Sequence, residues 1–201
     1  MDSAEFFEQR LTGSPVLGIF RGSGPAETVE ACERAWDFGV ELVEIPVQSP
    51  DAMPSLRAAL EVARARGKAV GAGTVTMLSQ LAEVHELGAA FTVAPGLHPE
   101  VAEESRRIGL PHLPGVATST EIASALARGY TWLKAFPAAQ LGSEWITAQL
   151  APFPTVRFVA TGGIGAANAA EFLAAGCRGV AVGSALSDPA SLPALRAAVS
   201  T

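Results

Sequence analysis

The feature that most constrains this chain is a rhythm. An apolar run short enough for a strand is followed by a stretch long enough for a helix, and in many units a glycine stops the helix just before the next apolar run. Eight such units of roughly 25 residues follow one another along the 201 residues. The strands are expected over 15–20, 40–47, 69–73, 90–94, 110–114, 130–136, 156–160 and 179–182. The helices between and after them are expected over 25–38, 52–66, 77–87, 98–108, 119–128, 143–150, 166–175 and 188–199, with a short leading helix over Ser3–Leu11. Strict alternation of this kind requires parallel strands joined by right-handed helical crossovers. Eight units predict an α/β fold, a closed (β/α)8 TIM barrel forming one domain over 1–201, with spare loops and the short N-terminal helix ahead of it. The alternative is a doubly wound open sheet. It lacks its usual fingerprint, since Gly71-Ala72-Gly73 runs on into Thr74-Val75-Thr76 and Gly22-Ser23-Gly24 has no third glycine.

Charge and composition narrow the function. A net charge of −6 argues against nucleic acid as a partner and means that an anionic ligand must be held by local groups. No apolar run approaches the ~20 residues of a membrane span, and the acidic start Met1-Asp2-Ser3-Ala4-Glu5 is not that of a signal peptide. Cys32 and Cys177 have no metal-type spacing, so a reduced, cytoplasmic compartment is expected. His85, His98 and His112 form no ligand pattern, and no metal site is predicted.

Only two of the 14 basic residues are lysines. Lys68 follows Gly67 in a polar turn. Lys134 interrupts Tyr130-Thr131-Trp132-Leu133-Lys134-Ala135-Phe136-Pro137, where most strands carry an aliphatic residue. A buried amine is costly unless paired, and in its neutral form it attacks carbonyls. In a barrel, chemistry sits at the C-terminal strand ends. Lys134 lies near one such end and Glu44 near another. By the period of two, Glu44 shares a face with Leu42, and Lys134 with Trp132. Both can therefore point inward, as a general acid/base beside an amine nucleophile, the alternative being a structural ion pair. Arg21 closes the first strand and can clamp a planar carboxylate, or form a rim salt bridge. Gly73-Thr74 closes the third and offers an approachable backbone with a hydroxyl. Thr161-Gly162-Gly163-Ile164-Gly165 and Gly183-Ser184 close the last two strands, where barrels often bind phosphate.

The motifs Val43-Glu44-Ile45-Pro46, Gly71-Ala72-Gly73-Thr74-Val75, Ala94-Pro95-Gly96, Pro114-Gly115-Val116, Leu133-Lys134-Ala135-Phe136-Pro137-Ala138 and Thr161-Gly162-Gly163-Ile164 occur in one order along the chain. That order and spacing, over about 15–184, resembles the 2-keto-3-deoxy-6-phosphogluconate and 2-keto-3-deoxy-6-phosphogalactonate aldolases. The resemblance implies a class I aldolase with no metal or cofactor, a homotrimer acting on a small phosphorylated keto acid. It places the Schiff base on Lys134 and proton transfer on Glu44. It puts the pyruvate carboxylate at Gly73 and Thr74, pocket walls at Pro95 and Phe136, and the substrate phosphate at Gly162, Gly163 and Ser184. The phosphogluconate type has an arginine four residues after the glutamate. Gln48 stands here instead, as an amide does in the phosphogalactonate type, and Arg21-Gly22 matches that type's arginine at the end of the first strand. Thr161, however, matches the phosphogluconate type. The motifs thus leave both C4 epimers open. Two rival readings are a phosphate-binding barrel isomerase or synthase with no covalent intermediate, and a non-catalytic sugar-phosphate-binding barrel. Neither needs a lysine paired with a glutamate in one lumen.

Overall fold

The computed structural model describes residues 1–22 and 24–199. Its strands are β1 (Val16–Ile19), β2 (Leu42–Pro46), β3 (Ala69–Gly73), β4 (Thr92–Val93), β5 (His112–Leu113), β6 (Gly115–Val116), β7 (Trp132–Ala135), β8 (Arg157–Thr161) and β9 (Gly179–Val182). Its helices are α1 (Ser3–Leu11), α2 (Pro25–Phe38), α3 (Met53–Arg66), α4 (Leu78–Glu86), α5 (Pro99–Arg107), α6 (Ser119–Ala127), α7 (Ala138–Leu141), α8 (Ser143–Leu150), α9 (Ala169–Ala174), α10 (Ser184–Ser187) and α11 (Leu192–Val199). All strand pairings are parallel, in the order β5-β4-β3-β2-β1-β9-β8-β7-β6.

The two ends of that order are one stave. β5 and β6 are the halves of a single strand broken at Pro114, which has no N–H to give the ladder. On one side Ala94 N–H donates to the Leu113 carbonyl at 3.1 Å and Gly115 N–H to Gly96 at 3.3 Å. On the other, Lys134 N–H donates to the Pro114 carbonyl at 2.9 Å and Phe136 N–H to Val116 at 3.2 Å. The sheet therefore closes into an eight-stave TIM barrel, as the sequence rhythm predicts, with the fifth stave centred on Pro114 rather than ending there.

Helices stop where glycine lets the chain turn left-handed, as at Gly39 (φ 104°) and Gly67 (φ 64°), and the next strand begins within a few residues. Four elements depart from expectation. α7 and α10 are extra single turns. α9 begins at Ala169 rather than near Ala166, because the Asn168 side chain takes the Gly165 N–H at 2.9 Å and bends the chain into a turn first. α11 is preceded by a 3-10 turn over Pro189–Ser191.

Two apolar cores result. The outer one lies between strands and helices. The inner one fills the barrel with inward residues from the strands, including Leu17, Leu42, Val93, Leu113, Trp132 and Val159. Helix α1 plugs its N-terminal mouth. Asp2 caps α1 by accepting the Glu5 N–H at 2.8 Å, and its Phe7 reaches Phe91 and Trp132 at ring-centroid distances of 5.7 and 6.2 Å. Gly71 leaves the room that the Phe91 ring takes up; a Cβ there would lie 2.6 Å from it. The floor of the barrel is thus apolar and aromatic, and Lys134 and Glu44 lie above it toward the C-terminal end. Removing the plug should be costly: Phe7→Ala is expected to destabilise the fold by about 3–5 kcal/mol, measured as a lowered denaturant midpoint at unchanged m-value.

Candidate active site

Lys134 sits on β7 with Gly115 of β6 and Val159 of β8 as its register neighbours. Val159 belongs to the inner core, so Lys134 points into the barrel, one layer above Trp132. The side chain is only 4% exposed. No carboxylate forms an ion pair with it among the described residues. Its Nζ stands 5.1 Å from the centroid of the Phe136 ring.

Glu44 lies on β2, four staves from β7 around a ring of eight, so it faces Lys134 from the opposite wall. It is 1% exposed, and its Oε2 has no hydrogen-bond partner. Its space is provided by Gly73 on the neighbouring strand, where a Cβ would lie 2.8 Å from Glu44 Oε1. Burial pushes the carboxyl above its ordinary value, against the opposing pull of the Lys134 and Arg21 charges. A buried carboxyl with its pKa raised is a candidate proton carrier.

The rim is organised around this pair. Thr74, next to Gly73, has φ 61° and is the one non-glycine residue with a left-handed backbone among those described. For a β-branched residue that is strained, and such strain collects at working sites. It is held from both sides: the Gly73 carbonyl accepts from Val47 N–H at 2.8 Å, and Val75 N–H donates to Val93 at 3.0 Å. Gln80 completes the clamp. Its side-chain oxygen accepts from Thr76 and Met77 N–H at 2.9 and 3.2 Å, and its amide donates to Val47 at 3.2 Å. Pro95 is half-buried, its carbonyl passing over Gly115, where no side chain would fit.

Arg21 is exposed just past β1 and two residues beyond Ile19, the register partner of Glu44. Gln48 is also exposed, in the wall of a cavity of about 200 Å³ between the loops after β1 and β2. That cavity includes neither Lys134 nor Glu44. Adjacent staves β8 and β9 bring Gly162, Gly163 and Ser184 to the same rim. Gly162 (φ 96°) and Gly163 (φ 73°) carry left-handed backbone that a side chain would strain. Asn168 fixes their loop by donating to the Gly163 carbonyl at 3.0 Å. Thr161 is buried, its hydroxyl making only a 3.4 Å bond to its neighbour's carbonyl at Val159.

The structure thus brings Lys134, Glu44, Gly73, Thr74, Pro95, Phe136, Thr161, Gly162, Gly163, Ser184 and Arg21 to one end of the barrel. Sequence reasoning missed Gln80 and Asn168, which act on loop backbone. The signal for Gln80 was its place at the third position of a helix, where an amide can reach back. His112 stands outside the site. It is buried, bonded to the Thr92 hydroxyl at 2.8 Å, and its pKa is lowered to about 3 by burial. Among the described residues no group of His, Cys, Asp and Glu could hold a metal ion.

Residues 7–195 match the KDPG and KHG aldolase family. The chain belongs to this family. It is 36% identical over 176 residues to a probable 2-dehydro-3-deoxy-6-phosphogalactonate aldolase of Rhizobium meliloti, covering 87% of this chain and 82% of the relative. It is also 36% identical over 169 residues to a KHG/KDPG aldolase of Escherichia coli, covering 83% and 78%. Among solved structures, one described as native KDPGal superposes with a TM-score of 0.84 at 31% identity, over 92% of this chain and 93% of that one. A KDPG aldolase of Legionella pneumophila, with pyruvate captured as a covalent carbinolamine, superposes with a TM-score of 0.81 at 26% identity over 94% and 95%. A thiamine phosphate pyrophosphorylase of Pyrococcus furiosus, at 20% identity and a TM-score of 0.74, shares the fold alone.

The buried carboxylate of this aldolase-family chain has a thermodynamic signature. A carboxyl whose folded pKa lies above its ordinary value of 4.5 favours the fold while protonated, below that value, and loses this contribution as pH rises through the raised pKa. Glu44→Gln removes the buried charge. It should therefore melt higher than the wild type at neutral pH, with the difference shrinking toward pH 4. Thermal unfolding of both proteins across pH 4–8 measures this.

Proposed function

We propose that this chain is a class I aldolase that cleaves a 2-keto-3-deoxy-6-phospho-sugar acid, phosphogalactonate or phosphogluconate, to pyruvate and glyceraldehyde 3-phosphate. The observation that carries the reading is Lys134, buried without an ion-pair partner among the described residues and opposite a buried Glu44 with an unpartnered oxygen, in a chain of this family.

The amine of Lys134 attacks the C2 ketone to give a carbinolamine, and loss of water leaves an iminium. The Glu44 carboxyl supplies and accepts the protons of these steps. The iminium is the electron sink. Deprotonation of the C4 hydroxyl, relayed through Glu44 and a water, breaks C3–C4, and its electron pair enters the enamine as glyceraldehyde 3-phosphate leaves. Protonation at C3 and hydrolysis release pyruvate and regenerate the amine. This cycle draws on no metal or cofactor. The pyruvate carboxylate is assigned to Thr74, Gly73 and Arg21, an assignment supported by the strained Thr74 backbone and by the Arg21 charge that reaches Glu44. Pro95 and Phe136 wall the pocket. Thr161 is assigned to the substrate hydroxyls, and Gly162, Gly163 and Ser184 to the phosphate, a placement supported by two left-handed glycines on a side-chain-stapled loop.

One aldolase domain over 1–201 and the homotrimer implied by the family resemblance belong to the same proposal. So does a cytoplasmic setting, supported by Cys32 and Cys177 being free and buried. No helix among the described residues is long and apolar enough to cross a membrane.

Borohydride with pyruvate should add one pyruvate-derived group to Lys134, read by peptide mass spectrometry, and a chelator should leave turnover intact. Labelling of Lys68 instead, or a chelator-sensitive activity, would overturn the class I reading. In the same assay Glu44→Gln should still bind pyruvate yet lose roughly 10²–10⁴ in rate.

The carboxylate clamp follows from Gln48, an amide that supplies no charge where the phosphogluconate type has arginine. Hydrogen bonds to charged groups are worth about 1.5–3 kcal/mol, so Arg21→Ala should lower kcat/KM by roughly ten- to 150-fold. Adding Gln48→Arg should restore part of it. Measuring kcat/KM for both C4 epimers in the wild type, each single variant and the double variant tests the clamp; unchanged values in Arg21→Ala would place it elsewhere.

A further inference from the structure

The nitrogen of Lys134 has to carry a positive charge in a place where no anion touches it. Glu44 acts on it only through the field across the lumen, and no ion pair reaches it among the described residues. Its register neighbours Gly115 and Val159 are uncharged. A buried cation in such surroundings is strongly disfavoured unless something else compensates. What does lie against Nζ is the face of Phe136, with the ring centroid 5.1 Å away. That is inside the ~6 Å over which an aromatic face attracts a cation.

The ring is fixed in that position. Its backbone N–H donates to Val116 at 3.2 Å, tying it to β6. On the rim side it packs on Gly162, where a Cβ would stand 3.1 Å from two ring carbons. The left-handed glycine of the loop after β8 therefore keeps the ring seated as well as shaping its own turn. The charge that acts across the lumen between Lys134 and β2 is that of Glu44, whose carboxyl also feels Arg21 from past β1. The inward positions on β3, β6 and β8, namely Gly71, Gly73, Gly115, Val159 and Thr161, do not titrate.

We infer that the π face of Phe136 serves as the local counter-charge for the Lys134 nitrogen, stabilising it as ammonium and as the iminium through which carbon–carbon cleavage runs. The inference rests on the Schiff-base reading above and gives Phe136 an electrostatic part in it beyond lining the pocket. Glu44 then remains free to move protons, since it is not held in a contact ion pair with the amine.

Fluorinated phenylalanines at position 136, with one, two and three ring fluorines, keep the shape of the side chain while progressively weakening the negative ring face. The expected result is a stepwise fall in kcat/KM with fluorine number, about two- to thirtyfold over the series and carried by kcat. Borohydride capture of pyruvate on Lys134, read at one fixed pH, should slow at each step, because a weaker ring disfavours the iminium that borohydride reduces. Phe136→Leu should lie at or beyond the trifluoro end. A series flat in both readouts, with only the leucine variant impaired, would reduce Phe136 to packing and overturn the inference. Wild-type enzyme that captures no pyruvate on Lys134 would instead overturn the Schiff-base reading itself, so the two failures are told apart by the unmodified protein.

Discussion

A carboxylate and an amine, each buried on an opposite wall of the barrel and neither in a contact pair, set the terms for the rest of this molecule. Burial alone pushes the Glu44 carboxyl upward, and the distant positive charges of Lys134 and Arg21 pull against it. A contact ion pair would have locked both groups in their charged forms. Separation leaves the carboxyl able to exchange protons and the amine open to a carbonyl. The pair exists because the barrel closes. In an open sheet four strand spacings of about 4.8 Å, roughly 19 Å, would separate β2 from β7 along one surface. Closure turns that distance into a shared lumen.

Keeping two such groups buried costs stability, and the surrounding structure is arranged to bear it. The floor beneath them is apolar and aromatic, and α1 closes it. Glycines occur where neighbouring side chains need the volume: Gly73 beside Glu44, Gly71 beside Phe91, Gly162 behind Phe136. Each is a position where an added Cβ would displace a side chain of the site or its floor. The strained Thr74 is tolerated because ladder bonds hold the backbone on both sides of it and Gln80 ties the adjoining loops. The rim is thus tied down where chemistry is assigned, and Arg21 and Gln48, to which the proposed carboxylate clamp is assigned, lie exposed at its edge.

The motifs leave substrate choice open between the two branches that the chain resembles. Gln48 and Arg21 follow the phosphogalactonate pattern and Thr161 the phosphogluconate pattern, yet all three converge on one end of the barrel. Thr161 is buried, with a hydroxyl bonded only weakly to its own strand, whereas Gln48 lines a separate small cavity beyond the β2 end.

The sequence by itself determined everything that depends on local pattern. The eight staves, the glycine-terminated helices and the inward face shared by Leu42 and Glu44 follow from periods of 3.6 and two, which are properties of neighbouring residues. Lys134 was conspicuous because an ammonium breaks an apolar strand, and its motif tied the chain to its family. Other features were decided only by the tertiary structure. That Glu44 and Lys134 face each other depends on closure through the Pro114 stave. The plugging of the barrel by Phe7, the space ceded by Gly73 and the tie from Gln80 to Val47 join residues far apart in the chain, while the strain at Thr74, the turn held by Asn168 and the ring of Phe136 against Nζ depend on backbone angles and side-chain placement. No local periodicity encodes such contacts, because they exist only after long-range packing has fixed where each strand end lies.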